Sequence, residues 1–235
     1  TRRSSDLIGV IKNPIIKYFS KKLELWAYKN SEQIIGLSPG MCEGIKMRSP
    51  SKKKVHNIPN SSDIKLFQSK ANGEGKFKKR YNLKSSKQLV IYAGTLGKIN
   101  GVEYLVEIAH RFIKLNNNVN FLIVGDGANI ESITSKAINY NCLNRNLFLI
   151  NQLPKNEMPT LFKVATISTS LFLPIKEMEA NSANKFFDAL AAGKPIAINY
   201  GGWQKDLIQN HNVGLVLNQN PKNAAKYLDK LLRNE

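Results

Sequence analysis

Short apolar runs alternate with amphipathic stretches over the second half of the chain. The six apolar runs are 88–94, 120–125, 147–150, 166–172, 195–200 and 214–217. Each precedes a segment whose apolar residues recur at helical spacing. Strands that are apolar on both faces are typical of a parallel sheet with helices on both sides. Because crossovers between parallel strands are right-handed, the pattern predicts an α/β fold with a Rossmann-like, doubly wound parallel sheet.

The first part of the chain has a different pattern. Over residues 14–30, Ile15, Phe19, Leu23 and Trp26 recur at helical spacing, with lysines beside them. A basic amphipathic helix of this kind can lie on an anionic membrane. It can equally pack its apolar stripe on a protein core and leave the lysines in solvent, so the pattern leaves both alternatives open.

Two short predicted strands, 33–38 and 54–60, enclose another helix. Residues 61–87 are polar, contain glycine and are rich in lysine, which predicts a linker. The chain therefore divides into residues 1–60, 61–87 and 88–235.

Charge is distributed unevenly over these parts. The formal net charge is +18; residues 1–87 carry 20 Lys and Arg against 6 Asp and Glu, whereas residues 88–235 carry 15 against 11. An anionic partner is therefore expected mainly at the first part. Nucleic acid is one such partner. We expect none, because the first part has no RNP, KH, zinc-finger or clear helix-turn-helix pattern.

Composition limits the class of protein and its compartment. Aliphatic and aromatic residues make up 42% of the chain, enough for a core. Cys42 and Cys142 lie too far apart for a disulfide scaffold or a cysteine-based zinc site. No apolar run approaches the roughly 18 residues of a membrane span, and the first ten residues lack the apolar core of a signal peptide. We expect a soluble protein of a reducing compartment.

Ligands of an open parallel sheet bind beyond the carboxyl ends of its strands, so the loops there are candidate sites. After the first strand of the sheet the loop reads Gly-Thr-Leu-Gly-Lys-Ile-Asn-Gly. Its glycines let backbone amides approach a phosphate, and Lys98 adds a full charge. It matches neither GxGxxG nor a Walker A loop, so a tight turn is the alternative. The candidate binding residues are Gly94, Thr95, Leu96 and Asn100.

The loop after the second strand is Gly125-Asp126-Gly127. An Asp between glycines either caps the next helix or lines a pocket. We expect Asp126 to cap the helix.

Residues 177–195 predict a helix with Asn181 or Ser182 as its cap and an end at Gly193. Lys185 and the free amides of the first helical turn form a predicted anion site.

Asp188 shares a face of this helix with Asn184, and Glu179 precedes the helix. Carboxylates beside an anion site suit a ligand with both phosphates and hydroxyls, such as a nucleotide sugar. The alternative for Asp188 is a solvated surface residue.

At these residues the chain resembles the donor-binding half of a GT-B glycosyltransferase of family 4. Six blocks match the family in order: IIGLSPGMCEGI, KVHNIPN, YAGTLGKINGVEYLVEIA, FLIVGDGANIESI, LFLINQLPKNEMPTLFKVA and NSANKFFDALAAGKPIAINYGGW. The last block is similar to the corresponding block in the branch of the family whose members build bacterial capsule, O-antigen and exopolysaccharide units on a lipid carrier.

The resemblance implies transfer of a hexosyl or N-acetylhexosaminyl group from a nucleotide-diphosphate sugar to a lipid-linked saccharide. It implies retention of configuration, no metal ion, and no cofactor besides the donor substrate, with a UDP-sugar favoured over a GDP-sugar. It also implies a cytoplasmic protein, peripheral at the inner face of the plasma membrane, whose basic first part meets the anionic lipid surface.

The family's pair of acidic residues carries over unevenly. Asp188 takes the second place, whose role is to grip the ribose of the nucleotide. The first place falls on Ala180 by count, so Glu179 is the nearest candidate for the carboxylate on the sugar side.

The family's diphosphate-binding Arg and Lys match Thr95 and Asn100. The resemblance therefore implies that Lys98 replaces them, with Lys185 assisting. The loop that contacts the base in the family corresponds to Asn151, Gln152 and Leu153.

The resemblance also implies a role for each of the three parts of the chain. Residues 1–60 look like the end of the acceptor domain, 61–87 like the interdomain linker, and 88–235 like the donor domain. We expect a fragment, or one half of a split enzyme, that binds donor weakly and transfers nothing alone. The alternatives are a GT-B-shaped sugar-nucleotide epimerase, a nucleic-acid-binding protein and a membrane adaptor.

Overall fold

The described residues of the first part of the chain form a small parallel pair of strands and four helices. A computed structural model describes residues 13–49, 54–68, 73–115 and 118–233. The elements in chain order are α1 (Pro14–Asn30), β1 (Ile34–Gly36), α2 (Pro39–Arg48), β2 (Val55–Asn57), α3 (Ile64–Gln68) and α4 (Glu74–Arg80). Strands β1 and β2 pair in parallel, and α2 crosses between them.

The second part forms a six-stranded sheet in which every pair of neighbouring strands is parallel. Its strands are β3 (Gln88–Ala93), β4 (Val119–Val124), β5 (Leu147–Ile150), β6 (Ile167–Ser170), β7 (Ile196–Ile198) and β8 (Gly214–Val216). Its helices are α5 (Glu103–Leu115), α6 (Ile130–Asn139), α7 (Met158–Val164), α8 (Asn184–Ala191), α9 (Trp203–His211) and α10 (Pro221–Leu232). The strand order β5-β4-β3-β6-β7-β8 confirms the predicted doubly wound fold.

Alternate side chains of the central strand enter two separate cores. Val90 and Tyr92 of β3 pack into one core, which includes Phe112 of α5. Leu89 and Ile91 pack into the other core. Because both faces of the sheet are covered, the strands are apolar on both sides, as the sequence pattern indicates.

Segment 61–87, which the sequence predicts as a linker, includes both α3 and α4. Phe77 of α4 is buried in the second core, and the ring of Phe67 meets the edge of Phe162 at 5.2 Å. The segment therefore packs on the sheet domain, through two aromatic residues within a lysine-rich sequence. Residues 69–72 of this segment, like 1–12 and 50–53 of the predicted domain remnant, lie outside the described residues.

The predicted basic helix forms as α1, and its apolar stripe stays in solvent. Leu23 is 65% exposed and Trp26 63%. An ion pair between Glu24 and Arg48, 3.4 Å long, joins α1 to α2. Packing of the stripe on a core therefore does not occur among the described residues. None of their helices is both long and apolar enough to cross a bilayer.

Candidate functional site

A cleft of about 600 Å³ lies beyond the carboxyl ends of β3, β4 and β6, where the strand order reverses. Nine predicted site residues line it: Gly94, Thr95, Asn100, Gly125, Gln152, Leu153, Asn184, Lys185 and Asp188. The position of the cleft follows from topology: the connection after β3 leads to α5 on one face of the sheet, and the connection after the neighbouring strand β6 leads to α8 on the other face, which opens a crevice between them.

The Lys185 side chain is held between aromatic rings on the floor of the cleft. Its Nζ lies 4.8 Å from the ring centroid of Tyr92 and 5.1 Å from that of Phe172. It donates a hydrogen bond of 3.2 Å to the Tyr92 hydroxyl. Burial lowers the pKa of Lys185 to about 8. Among the described residues no carboxylate forms an ion pair with it, so its charge is available to an anion.

Asn100, on the loop after β3, connects the Lys185 amine to the backbone of that loop. In the orientation that satisfies both polar atoms of its amide, Nδ2 donates to the Thr95 carbonyl at 3.1 Å, and Oδ1 accepts from Lys185 Nζ at 3.2 Å. The Tyr92 hydroxyl donates to the same Thr95 carbonyl at 2.8 Å. The loop and the lysine are therefore positioned together.

Glycines allow the loops after β3 and β4 to touch. A Cβ on Gly125, whose φ is +153°, would lie 1.9 Å from the Gly94 carbonyl oxygen. A Cβ on Gly127 would lie 2.7 Å from the Leu96 backbone. The close approach explains both glycines without a ligand, because no larger residue fits there.

Asp188 lines another part of the cleft, and a serine from the first part of the chain holds it. Ser62 Oγ donates a 2.6 Å hydrogen bond to Asp188 Oδ1. Burial raises the pKa of Asp188 above its usual value; the Ser62 bond and the charge of Lys155 act in the opposite direction and offset only part of this rise. Asp188 is therefore a partly buried, hydrogen-bonded group, and the alternative of a solvated surface residue is excluded.

The N-cap of helix α8 lies one or two residues later in the chain than predicted. The N-cap is Ala183, which has no capping side chain, so the prediction of Asn181 or Ser182 as the cap is wrong. Asn181 Oδ1 instead accepts from the Ala183 amide at 3.1 Å. Among the described residues no acceptor takes the amides of Asn184 and Lys185, which leaves them to a ligand.

Six predicted site residues do not line the cleft. They are Leu96, Lys98, Asn151, Glu179, Asn181 and Ser182. The Leu96 side chain is 1% exposed within the first core, and its amide donates to the Asp126 carbonyl, so no group of this residue is available to a ligand. Lys98 and Asn151 are exposed outside the cleft, on the loops after β3 and β5.

Glu179 and Ala180 lie on a 3₁₀ turn before α8. The Glu179 side chain is exposed beside Gly201, whose Cβ, if present, would lie 3.1 Å from the carboxylate. The Ala180 methyl faces Gly40 of α2, and its carbonyl accepts from Ser38 Oγ at 2.6 Å. Ala180, at the position where the family carries its first carboxylate, thus contacts the first part of the chain instead.

Sequence reasoning missed seven residues that line the cleft: Asn60, Ala93, Val124, Lys155, Met158, Phe172 and Ala183. Asp126 lines it too, and the expectation that it caps a helix is wrong. Asp126 accepts from the Gly127 amide at 2.7 Å, while α6 begins at Ile130 without a capping side chain. Lys155 could have been predicted, because it follows soon after the end of a strand, where ligands bind. No sequence pattern indicates Asn60, because it lies far from the sheet in sequence.

Three comparisons relate the chain to known proteins. A family model described as glycosyl transferases group 1 matches residues 73–235. The spore coat protein SA of Bacillus subtilis strain 168 is 22% identical over 213 residues, which cover 85% of this chain and 55% of that protein. The chain thus spans little more than half the length of this curated relative.

Solved structures share the fold. A crystal structure of Anabaena HepE in complex with UDP and glucose matches with a TM-score of 0.77 and 14% identity, over 92% of this chain and 58% of that one. The C-terminal domain of LpcC from Francisella tularensis, described as a glycosyl transferase group 1 family protein, matches with a TM-score of 0.59 and 16% identity, over 74% of this chain and 88% of that one.

Proposed function

Because the chain belongs to the family of glycosyl transferases group 1, we propose that its cleft binds the nucleotide-diphosphate sugar from which a glycosyl group is transferred. One observation carries the proposal: helix α8 presents two groups to the same cleft. They are Lys185, which has no carboxylate partner among the described residues, and Asp188, whose carboxylate is held by Ser62. A ligand with a diphosphate and vicinal hydroxyls matches both groups.

The diphosphate in this proposal lies at the beginning of α8. There the amides of Asn184 and Lys185 and the Lys185 ammonium meet the charge that develops as the sugar leaves. The stabilisation of this charge is electrostatic, because fixed hydrogen-bond donors of the protein take the place of water. Lys98 is exposed outside the cleft, so the proposal gives the main charge to Lys185 and only a peripheral role to Lys98.

The nucleoside lies on the side of Asp188, with its ribose hydroxyls donating to the carboxylate. Gln152 and Leu153 then contact the base, because they line the same cleft and lie on the loop that leads to Lys155, whose charge acts on Asp188. We favour a UDP-sugar over a GDP-sugar; the complex of HepE with UDP and glucose supports this choice. Glu179 stays the candidate for the sugar-side carboxylate.

Several finer parts of the proposal rest on the family 4 resemblance alone. They are retention of configuration, independence of a metal ion, a hexosyl or N-acetylhexosaminyl donor, and a lipid-linked saccharide acceptor for capsule or other cell-surface polysaccharide. Among the described residues, no three His, Cys, Asp or Glu side chains come together as metal ligands.

Calorimetric titration with UDP and GDP tests the site. We expect UDP to bind with a dissociation constant below about 1 mM, and more tightly than GDP; 1 mM corresponds to about −4 kcal/mol. Absence of binding by both nucleotides contradicts the proposal. A second assay follows transfer of labelled sugar from UDP-sugars to lipid-linked saccharides, and separates transfer from epimerisation by product analysis.

We also propose that α1 lies on an anionic membrane surface, as a peripheral protein at the cytoplasmic face of the plasma membrane would. Support comes from the exposed stripe that includes Phe19, Leu23 and Trp26 and from the lysines beside it. Apolar burial and attraction to anionic lipid then act together.

Flotation with vesicles tests this second proposal. Leu23→Ser should reduce flotation with vesicles that contain phosphatidylglycerol, because Leu23 would enter the lipid. Ile138→Ser is the matched control, since Ile138 is 57% exposed on α6, away from the stripe. Equal flotation of both variants and the wild type contradicts membrane binding through α1.

A further inference from the structure

Three hydrogen-bonded contacts join the first part of the chain to the segment that begins α8. Ser38 Oγ donates to the Ala180 carbonyl at 2.6 Å. The Asn60 amide donates to Ser182 Oγ at 3.2 Å, and Asn60 Nδ2 donates to the Ser182 carbonyl. Ser62 Oγ donates to Asp188 Oδ1 at 2.6 Å. We call residues 58–63, which provide the last two contacts, the crossing segment.

The crossing segment reaches the cleft itself. Asn60 is one of its lining residues. The segment follows β2 and is tied to β1 by a bond of 3.0 Å from the Ile58 amide to the Gly36 carbonyl. It therefore extends from the small strand pair to the opening of the proposed donor site.

The Ser62 bond acts on a side chain that needs positioning. Among the described residues, Ser62 is the only side chain that hydrogen-bonds to Asp188. A half-buried carboxylate on a helix can rotate about two bonds, and a ligand that uses it must select one orientation. A short bond to one oxygen fixes the plane of the carboxylate and leaves the second oxygen for a donor in the cleft.

We infer that Ser62 is a positioning residue for the ribose of the bound nucleotide, since its hydroxyl holds one oxygen of Asp188 and leaves the other to a ribose hydroxyl. The inference rests on the proposed function, because it needs a nucleotide in the cleft. Ser62 touches no ligand in this scheme and acts through Asp188.

The contacts of Asn60 allow this role to be separated from a structural one. Asn60 holds the crossing segment to Ser182 through two bonds that do not involve Ser62. Loss of the Ser62 hydroxyl should therefore leave the segment in place and free only the carboxylate.

The experiment measures calorimetric affinities for UDP and for 2′,3′-dideoxyuridine diphosphate, which lacks the ribose hydroxyls. Ser62→Ala should weaken UDP binding about fivefold to twentyfold, the range of one hydrogen bond to a charged group after partial compensation. The dideoxy nucleotide should bind wild type and variant equally. Ser62→Thr, which keeps the hydroxyl, should restore UDP affinity. Ser61→Ala is the matched control, because Ser61 is the exposed neighbour.

A double-mutant cycle completes the test. In an Asp188→Ala background, Ser62→Ala should change UDP affinity less than twofold, because coupled residues are not additive. An equal loss for both nucleotides, or a full further loss in that background, overturns the positioning role. Unchanged UDP affinity in Ser62→Ala overturns it as well. Failure of the wild type to bind any nucleotide contradicts the proposed function itself, and is thus distinguishable from these outcomes.

Discussion

The ammonium of Lys185 lies 4.8 Å from the ring centroid of Tyr92 and 3.2 Å from its hydroxyl oxygen. The aromatic face and the phenolic oxygen solvate the charge in the place of water. No carboxylate neutralises it among the described residues. A cation held in this way can attract an anion, and the first three predictions concern it.

Replacement of Lys185 by methionine should weaken UDP binding about tenfold to a hundredfold, the effect of losing one charge-assisted bond to a phosphate. Uridine, which has no phosphate, should bind both proteins equally weakly. Titration calorimetry measures both ligands. The matched control is Lys98→Met, which removes an exposed lysine outside the cleft and should change UDP affinity by less than threefold. An equal effect of the two variants contradicts the assignment of charge to Lys185.

UDP affinity should fall as the pH rises through about 8. Below this value the Lys185 amine is protonated in the free protein, because its pKa is lowered to about 8, and it attracts the diphosphate. Above this value UDP must bind together with a proton, so affinity declines by at most about tenfold per pH unit. Titrations between about pH 7.5 and 9 check this. The Lys185→Met protein is the control: any pH dependence that it keeps belongs to the phosphate and the uracil ring of the nucleotide, and the steeper fall of the wild type belongs to Lys185.

The same lysine should leave a signature in the stability of the free protein. Its pKa is lowered from 10.5 to about 8 by folding, so the unfolded chain binds more protons between these values. The contribution of Lys185 to the free energy of unfolding therefore rises with pH across this window. Urea unfolding of wild type and Lys185→Met at pH 7.5 and 9.5 isolates the difference. A contribution that falls with pH contradicts the burial of the amine.

Asp188→Ala should weaken UDP binding by about 1–3 kcal/mol, because the ribose hydroxyls lose a charged acceptor. Affinity for the dideoxy nucleotide should change little. Asp206→Ala is a suitable control, since Asp206 lies on α9 outside the cleft. Unchanged UDP affinity in a folded Asp188→Ala protein removes this residue from the site.

Gly125→Ala should destabilise the fold by more than about 3 kcal/mol, because the added methyl would lie 1.9 Å from a carbonyl oxygen at a φ of +153°. Gly75→Ala is the matched control. Gly75 lies in α4 with open space around it, so alanine there should stabilise the protein by about 0.5–1 kcal/mol. Denaturant unfolding measures both. A small loss in Gly125→Ala would show that the two loops can move apart.

The sheet was predictable because its signal is local. Each strand coincides with one of the six apolar runs, since burial on both faces requires apolar residues at successive positions. The runs at 166–172 and 195–200 are longer than β6 and β7. Leu171 and Tyr200 stay buried after strand pairing ends, so hydrophobicity marks the core and not the hydrogen-bonded length.

The cleft was predictable in part for the same reason. Glycines and polar residues after the strands indicate where a ligand can approach, and the loops after β3, β4 and β5 do contribute lining residues. Leu96 is one of the six residues that the sequence placed in the site and that do not line the cleft. Its apolar side chain enters the core, and its amide is taken by the neighbouring loop, because the two loops touch at glycines.

The sequence by itself determined the parallel sheet and the helix that presents Lys185 and Asp188, because these follow from patterns within about twenty residues. Only the tertiary structure decided what surrounds those two groups. The ring of Tyr92 lies 93 residues away from Lys185 in sequence, and Ser62 lies 126 residues away from Asp188. Contacts at such separations depend on how the elements pack, which no local pattern encodes.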